Sequence, residues 1–182
     1  GAWLLPLFHC VQTPGAKWTG RHDYASVAIS QDGGESWRRV EVPESTGCVH
    51  MSIVDLGAPN GQHLAAFFRR RQADFVYRTE SRDGGESWDV PTLTDVPNNN
   101  SSISVIRLND GCLAMACNPV NAMMSTDRRV SLYDELGDDA RPQAMGGCTP
   151  IWGVPRGPMS LVFSTDGGHS FRVRAIDADG DP

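Results

Sequence analysis

Ser81–Trp88 reads SRDGGESW, and the same eight-residue pattern stands at Ser30–Trp37 (SQDGGESW) and Ser164–Phe171 (STDGGHSF). Each copy sets Asp-Gly-Gly between two extended runs. That is a hairpin signal, because glycine tolerates the positive φ of a tight turn. The Asp carboxylate of such a turn accepts backbone N–H groups from its own loop. Ser36, Ser87 and Ser170 are placed to donate to it, and the closing aromatic is placed to pack across the hairpin base. The pattern predicts three structural clasps: Ser30, Asp32, Gly34 and Trp37; Ser81, Asp83, Gly85 and Trp88; Ser164, Asp166, Gly168 and Phe171. A calcium loop would need acidic or amide groups at alternating positions and a closing Glu, which this spacing lacks. No metal site and no cofactor is expected.

The flanks of the clasps fall into register. Around the second copy, His50–Leu56, His63–Arg69, Phe75–Ser81 and Trp88–Leu93 read as four short strands, with a turn at Ala58–Gly61. The third copy repeats the order with Ile103–Leu108, Cys112–Cys117, Met159–Ser164 and Phe171–Ile176. The first copy supplies Trp3–Phe8, Tyr24–Ser30 and Trp37–Val42, so its first strand would precede Gly1. Four-stranded units in series predict an all-β fold, a β-propeller of four-stranded antiparallel blades, with about three blades present. The units are 1–43, 44–94 and 95–182, and the sequence reads as a piece of a longer chain. Asp32 and Asp83 are 51 residues apart, whereas Asp83 and Asp166 are 83 apart. The excess lies near 118–158, a long surface excursion of the kind that forms lids and binding loops.

Composition narrows the partners. The 182 residues are 40% hydrophobic and 21% charged, as in a folded domain. A formal net charge of -6 argues against nucleic acid, which demands a basic field, and no apolar run is long enough to span a bilayer. Neither nucleic acid nor membrane is an expected partner. Self-association through open blade edges is expected of an unclosed arc. The five cysteines (Cys10, Cys48, Cys112, Cys117, Cys148) are odd in number and lack metal-like spacing, so free thiols are favoured over a disulfide framework. Localisation is not legible.

Topology orients the expected propeller. In an up-and-down blade the clasps lie at one end, so Asp32, Asp83 and Asp166 are structural. The opposite end collects 9–23, 43–50, 69–74, 95–102 and 118–158, and the loops around a channel mouth are where ligands bind. Arg69-Arg70-Arg71 leaves a strand there. Arginine forks grip carboxylates at two points. Strand parity lets only part of the run face a ligand, so Arg69 or Arg70 is expected to bind and Arg71 to be solvated. Asp74 and Asp23 are the candidate general acids. Asn98 and Asn100 can donate to and accept from sugar hydroxyls, or serve only to cap their loop. His9, His50 and Asn118 are further candidates at strand ends, whereas His63 and His169 belong to the clasp end. Of the three tyrosines, Tyr24 and Tyr77 fall within strands, and Tyr133 lies in the excursion beside Asp134 and Glu135.

With the clasps, LLPLFH (Leu4–His9), PNNNSSISVIRLNDG (Pro97–Gly111), Asn118 and RGPMSLVFSTDGG (Arg156–Gly168), the chain resembles the sialidase superfamily, in particular its bacterial Asp-box proteins. The resemblance spans most of the chain outside the excursion. It implies half of a six-bladed propeller and an exo-glycosidase acting on a terminal, acidic or neutral sugar of a glycan or oligosaccharide. A non-catalytic carbohydrate-binding propeller and a polysaccharide lyase on the same scaffold are the alternatives. The Phe/Tyr-Arg-Ile-Pro motif that supplies one clamp arginine in well-studied sialidases is absent from this sequence.

Overall fold

The computed structural model describes residues 1–58, 61–130 and 140–175. Ile176 and the Tyr133–Glu135 stretch therefore lie outside the described residues. Among those described there is no α-helix, and none is long and apolar enough to cross a membrane. The described residues form eleven strands in three antiparallel sheets. The first holds β1 (Trp3–His9), β2 (Tyr24–Ser30) and β3 (Arg38–Glu41). The second holds β4 (Cys48–Asp55), β5 (Leu64–Arg70), β6 (Phe75–Ser81) and β7 (Thr92–Pro97). The third holds β8 (Ser104–Arg107), β9 (Leu113–Cys117), β10 (Ser160–Ser164) and β11 (Arg172–Ala175).

The sheets stack face to face with β1 beside β4 and β4 beside β8. The second sheet is covered on both faces, which is why β5 reads as the unbroken apolar run LAAFF. Leu64, Ala66 and Phe68 pack toward the first sheet with Ala25, Val27, Ile29 and Trp88. Ala65 and Phe67 face the third, with Val105, Leu113, Met115 and Val162. The period-2 alternation of a strand thus feeds two separate cores. Trp88 is buried at 6% exposure, but its counterpart Trp37 is 44% exposed, on the sheet that has only one neighbour.

Each clasp closes on itself. Asp32 accepts from Ser30 Oγ (2.8 Å), Ser36 N (2.9 Å) and Ser36 Oγ (2.5 Å). Asp83 and Asp166 repeat this with Ser81 and Ser87, and with Ser164 and Ser170. The leading serine in turn accepts the N–H of Gly34, Gly85 or Gly168 at 2.8 Å. Charged contacts tie the clasps to neighbouring sheets. Arg38 pairs with Glu86, and Arg78 Nε donates to Gly167 O at 3.0 Å.

Two elements depart from the sequence reading. The last strand of the second sheet is Thr92–Pro97 rather than Trp88–Leu93. Asp89 N still donates to Glu80 O, but Pro91 has no N–H to offer, and the ladder restarts at Thr92. Strand β4 begins at Cys48 rather than His50, and its register slips between Val49 and Ser52. His50 sits in that bulge with φ 51°.

Candidate functional site

Among the described residues, the end of the sheets remote from the clasps is built by 10–23, 42–47, 71–74, 98–103, 118–130 and 140–159. Strand β5 delivers Arg69 and Arg70 to this end, Arg71 follows in the turn, and parity spreads the first two to opposite sides. Arg70 shares the side of Phe68 and turns toward the first sheet, where its guanidinium lies 3.9 Å over the Tyr77 ring. It donates to Thr46 O (2.9 Å) and Cys48 Sγ (3.3 Å), and is buried. Arg69, on the side of Phe67, is the most exposed of the three.

Arg71 is where the structure corrects the sequence reading. Expected in solvent, it is 2% exposed. Its Nε and Nη2 donate to Asp23 Oδ2 at 3.0 and 2.7 Å. Asp23 is itself fully buried, and its Oδ1 accepts from Val11 N (3.1 Å) and Trp18 Nε1 (3.0 Å). Four donors leave that carboxylate no open lone pair for a substrate proton, so in this arrangement Asp23 holds Arg71 and is not a free general acid. The Trp152 and Trp18 rings lie 4.9 and 5.4 Å from the guanidinium. Aromatic faces attract a cation, most strongly where water is excluded.

His50 lies beside this pair. The bulge and positive φ re-aim its ring, as bulges do near functional sites. It packs tilted against Phe8, with centroids 4.6 Å apart at an interplanar angle of 34°, and Nδ1 is 2.8 Å from Ser102 Oγ. Desolvation, aided by the charges of Arg69 and Arg71, lowers its pKa to about 4. His50 is therefore a neutral hydrogen-bonding ring near pH 7. The Cys10 thiol is pushed up by desolvation and by Asp23, against the pull of Arg71 and Arg69. Cys10, Asp23, His50, Arg69 and Arg71 thus form one neighbourhood, which Phe8, Trp18 and Trp152 border.

The other expected residues are engaged in contacts of their own, Asn100 Nδ2 reaching Arg71 O at 3.5 Å. Asp74 is 30% exposed, 3.6 Å from Arg70 Nε, and accepts Phe75 N at 2.7 Å. His9 stacks on Tyr24 and meets Ser26 Oγ at 2.7 Å. The asparagines hold the backbone. Asn98 is fully buried, with Oδ1 accepting Arg70 N and Asn100 N at 3.0 Å each and Nδ2 donating to Ser101 O. Asn100 Nδ2 donates to Ile151 O (3.1 Å), and Asn99 Nδ2 to Pro155 O (2.7 Å). Asn118 Nδ2 serves Arg156 O and Pro158 O. Their amide N–H groups donate to protein carbonyls, which is the loop-capping alternative, while Asn100 Oδ1 is buried without a hydrogen-bond partner among the described residues.

These bonds show where the excursion goes. Residues 142–158 form a strap across this end of the sheets. At the first sheet, Lys17 N donates to Pro142 O, Cys148 N to Arg21 O, and Arg21 Nε to Gly146 O. At the second, Ile151 N donates to Arg71 O at 2.7 Å. Sequence reasoning missed Trp18 and Trp152 at the ion pair. A tryptophan in each of two loops rich in Gly and Pro was the available signal.

A family profile described as a BNR repeat-like domain matches residues 1–180. No curated protein matches the chain. Among solved structures, the intramolecular trans-sialidase from Ruminococcus gnavus in complex with oseltamivir carboxylate is similar at 17% identity and TM-score 0.58, over 97% of this chain and 31% of that one. A mutant of NanB sialidase from Streptococcus pneumoniae is similar at 17% identity and TM-score 0.56, over 86% and 20%. Trypanosoma rangeli sialidase is similar at 14% identity and TM-score 0.55, over 87% and 22%. The chain spans less than a third of the length of these structures. At such identities the likeness shows the fold, a β-propeller type.

Proposed function

We propose, from the premise that this chain belongs to the BNR repeat-like domain family, that it is part of a sialidase-like propeller hydrolysing a terminal acidic sugar of a glycan. Residues 1–43, 44–94 and 95–182 are then three consecutive blades of a six-bladed ring. The observation that carries the reading is the gathering of Arg69, Arg71, His50 and Phe8 at the end remote from the clasps. Arg69 is the residue proposed to grip the sugar carboxylate, since it is the most exposed of the three while Arg70 and Arg71 are buried. Neutral His50 presents a ring nitrogen to a sugar hydroxyl, and Asp74 is the partly exposed carboxylate for proton transfer. In the catalytic reading Asp23 is a positioning residue.

A second reading is sugar binding without hydrolysis. It is favoured by the engagement of Asp23 on four donors, and by the described tyrosines. Tyr24 is stacked on His9 and Tyr77 lies under Arg70, so neither is presented as a nucleophile. The test uses calorimetry with N-acetylneuraminic acid and fluorescence release from its 4-methylumbelliferyl α-glycoside. Binding and release, both lost in Arg69→Ala, support the glycosidase. Binding with no release selects the second reading. Absence of binding to the acid overturns the acidic-sugar assignment.

A further inference from the structure

Cys148 sits in the strap and Cys48 opens β4, 100 residues earlier in the chain. The fold brings them to one place. Cys148 Sγ stands 3.2 Å from where a Cβ of Gly47, the neighbour of Cys48, would lie. Gly47 is held there at both backbone groups, its N–H on Asp23 O (2.7 Å) and its carbonyl receiving Arg71 N (2.9 Å). On the other side, Cys148 N is fixed on Arg21 O at 2.9 Å and its Sγ meets Gly20 O at 3.8 Å. One guanidinium serves both thiols. Arg70 Nη1 donates to Cys48 Sγ at 3.3 Å, and its charge also acts on Cys148. All five cysteines are free thiols in this structure, and Cys10 is the exposed one.

We propose that Cys48 and Cys148 form a redox modification site that takes a small disulfide as oxidant and fastens the strap to the start of β4. The half-buried Cys148 thiolate attacks one sulfur of RSSR, forming the mixed disulfide and releasing RS⁻. The Cys48 thiolate then attacks the Cys148 sulfur, forming the protein disulfide and releasing the second RS⁻. The protein loses two protons and two electrons, and the reagent is reduced to two thiols. Arg70 donates to Cys48 Sγ and its charge reaches Cys148, so it favours both thiolates against the burial that raises each thiol. Burial raises the Cys48 pKa to about 11, against the pull of Arg70. The second step therefore quickens as the pH rises.

The test incubates the full chain with oxidised glutathione and follows intact mass and peptide linkage. The expected result is loss of two hydrogens, with a peptide containing Cys48 joined to one containing Cys148. Cys10→Ser retains that product. Cys148→Ser, which leaves the buried Cys48 in place, loses it. An unchanged mass, a mixed disulfide as the stable end point, or linkage of Cys148 to Cys10 overturns the proposal.

Discussion

Arg71 and Asp23 form an ion pair that the tertiary structure seals from water. Arg71 Nη2 and Nε reach Asp23 Oδ2 at 2.7 and 3.0 Å, and neither residue has appreciable exposure. The pair joins the loop before β2 to the end of β5, and so fixes the first sheet against the second where the arginine run emerges. Breaking one half of a buried pair leaves a desolvated charge, which costs about 3–5 kcal/mol. Asp23→Asn and Arg71→Met are each expected to lose stability of that order. The double variant should lose less than the sum. A urea double-mutant cycle with additive losses would contradict this coupling.

Arg69 and Arg70 are adjacent in sequence and differ in role. Arg69→Ala is expected to weaken binding of N-acetylneuraminic acid by about tenfold or more, the scale of a lost charge-assisted contact, with a smaller fall in melting temperature than Arg70→Ala, because Arg69 is the more exposed of the two. Arg70→Ala should lower the melting temperature further, because its guanidinium fills the space over Tyr77. Calorimetry and thermal unfolding of both variants check the division. Equal effects on both readouts would refute it.

His50 carries a pH dependence of defined sign. Its folded pKa, about 4, lies below the ordinary imidazole value of about 6.5. The unfolded chain therefore takes up the proton first as the pH falls. The contribution of this group to stability is complete above about pH 6.5 and is lost progressively toward pH 4. An NMR titration of the His50 ring should show a midpoint near 4, and a midpoint near 6.5 would rule out the desolvated placement.

The clasp carboxylates have the same sign in a lower window. Hydrogen bonds from Ser36, and then Ser30, hold Asp32 well below the carboxylate range. Ser170 and Ser164 do so for Asp166. For Asp83, desolvation opposes the shift, but bonds from Ser87 and Ser81 outweigh it. Stability linked to these groups is present above about pH 4 and declines as acid approaches the lowered folded values. Replacing Ser36, Ser87 and Ser170 by Ala should flatten that acid limb, read as the urea midpoint between about pH 4 and pH 2. An unaltered limb would show that the serines do not set it.

Gly168 has φ 89°, and a Cβ there would lie 2.3 Å from Phe67 Cζ in the core between the second and third sheets. Gly33 has φ 76° with nothing within 4 Å of its Cβ position. Gly168→Ala adds overpacking, about 1–3 kcal/mol, to the left-handed penalty of about 1–2 kcal/mol. Gly33→Ala incurs only the second. Thermal unfolding should rank them in that order, and equal losses would remove Phe67 as the cause.

Much of the candidate site was beyond reach of local pattern. The arginine run was visible, but parity alone could not tell that Arg71 turns inward, because its partner Asp23 lies 48 residues away. Asn98 and Asn100 read as sugar-binding residues, with loop capping as the alternative. Asn98 turns its amide onto Ser101 O within its own loop, and the path of residues 151–158 takes the amides of Asn99 and Asn100. The His50 bulge left no composition signal, since it arises from the slip of β4 against β5.

The sequence by itself determined the strands, the clasps and the repeat, because each rests on interactions a few residues long: an Asp in its own turn, a glycine at positive φ, a period-2 apolar run. The four-residue displacement of β7 shows that limit, since one proline moved a boundary that the pattern had placed. Tertiary structure alone decided which charges are buried, which amides are spent and where the long excursion lies. Those outcomes depend on long-range contacts and on desolvation, which exist only once the sheets have stacked.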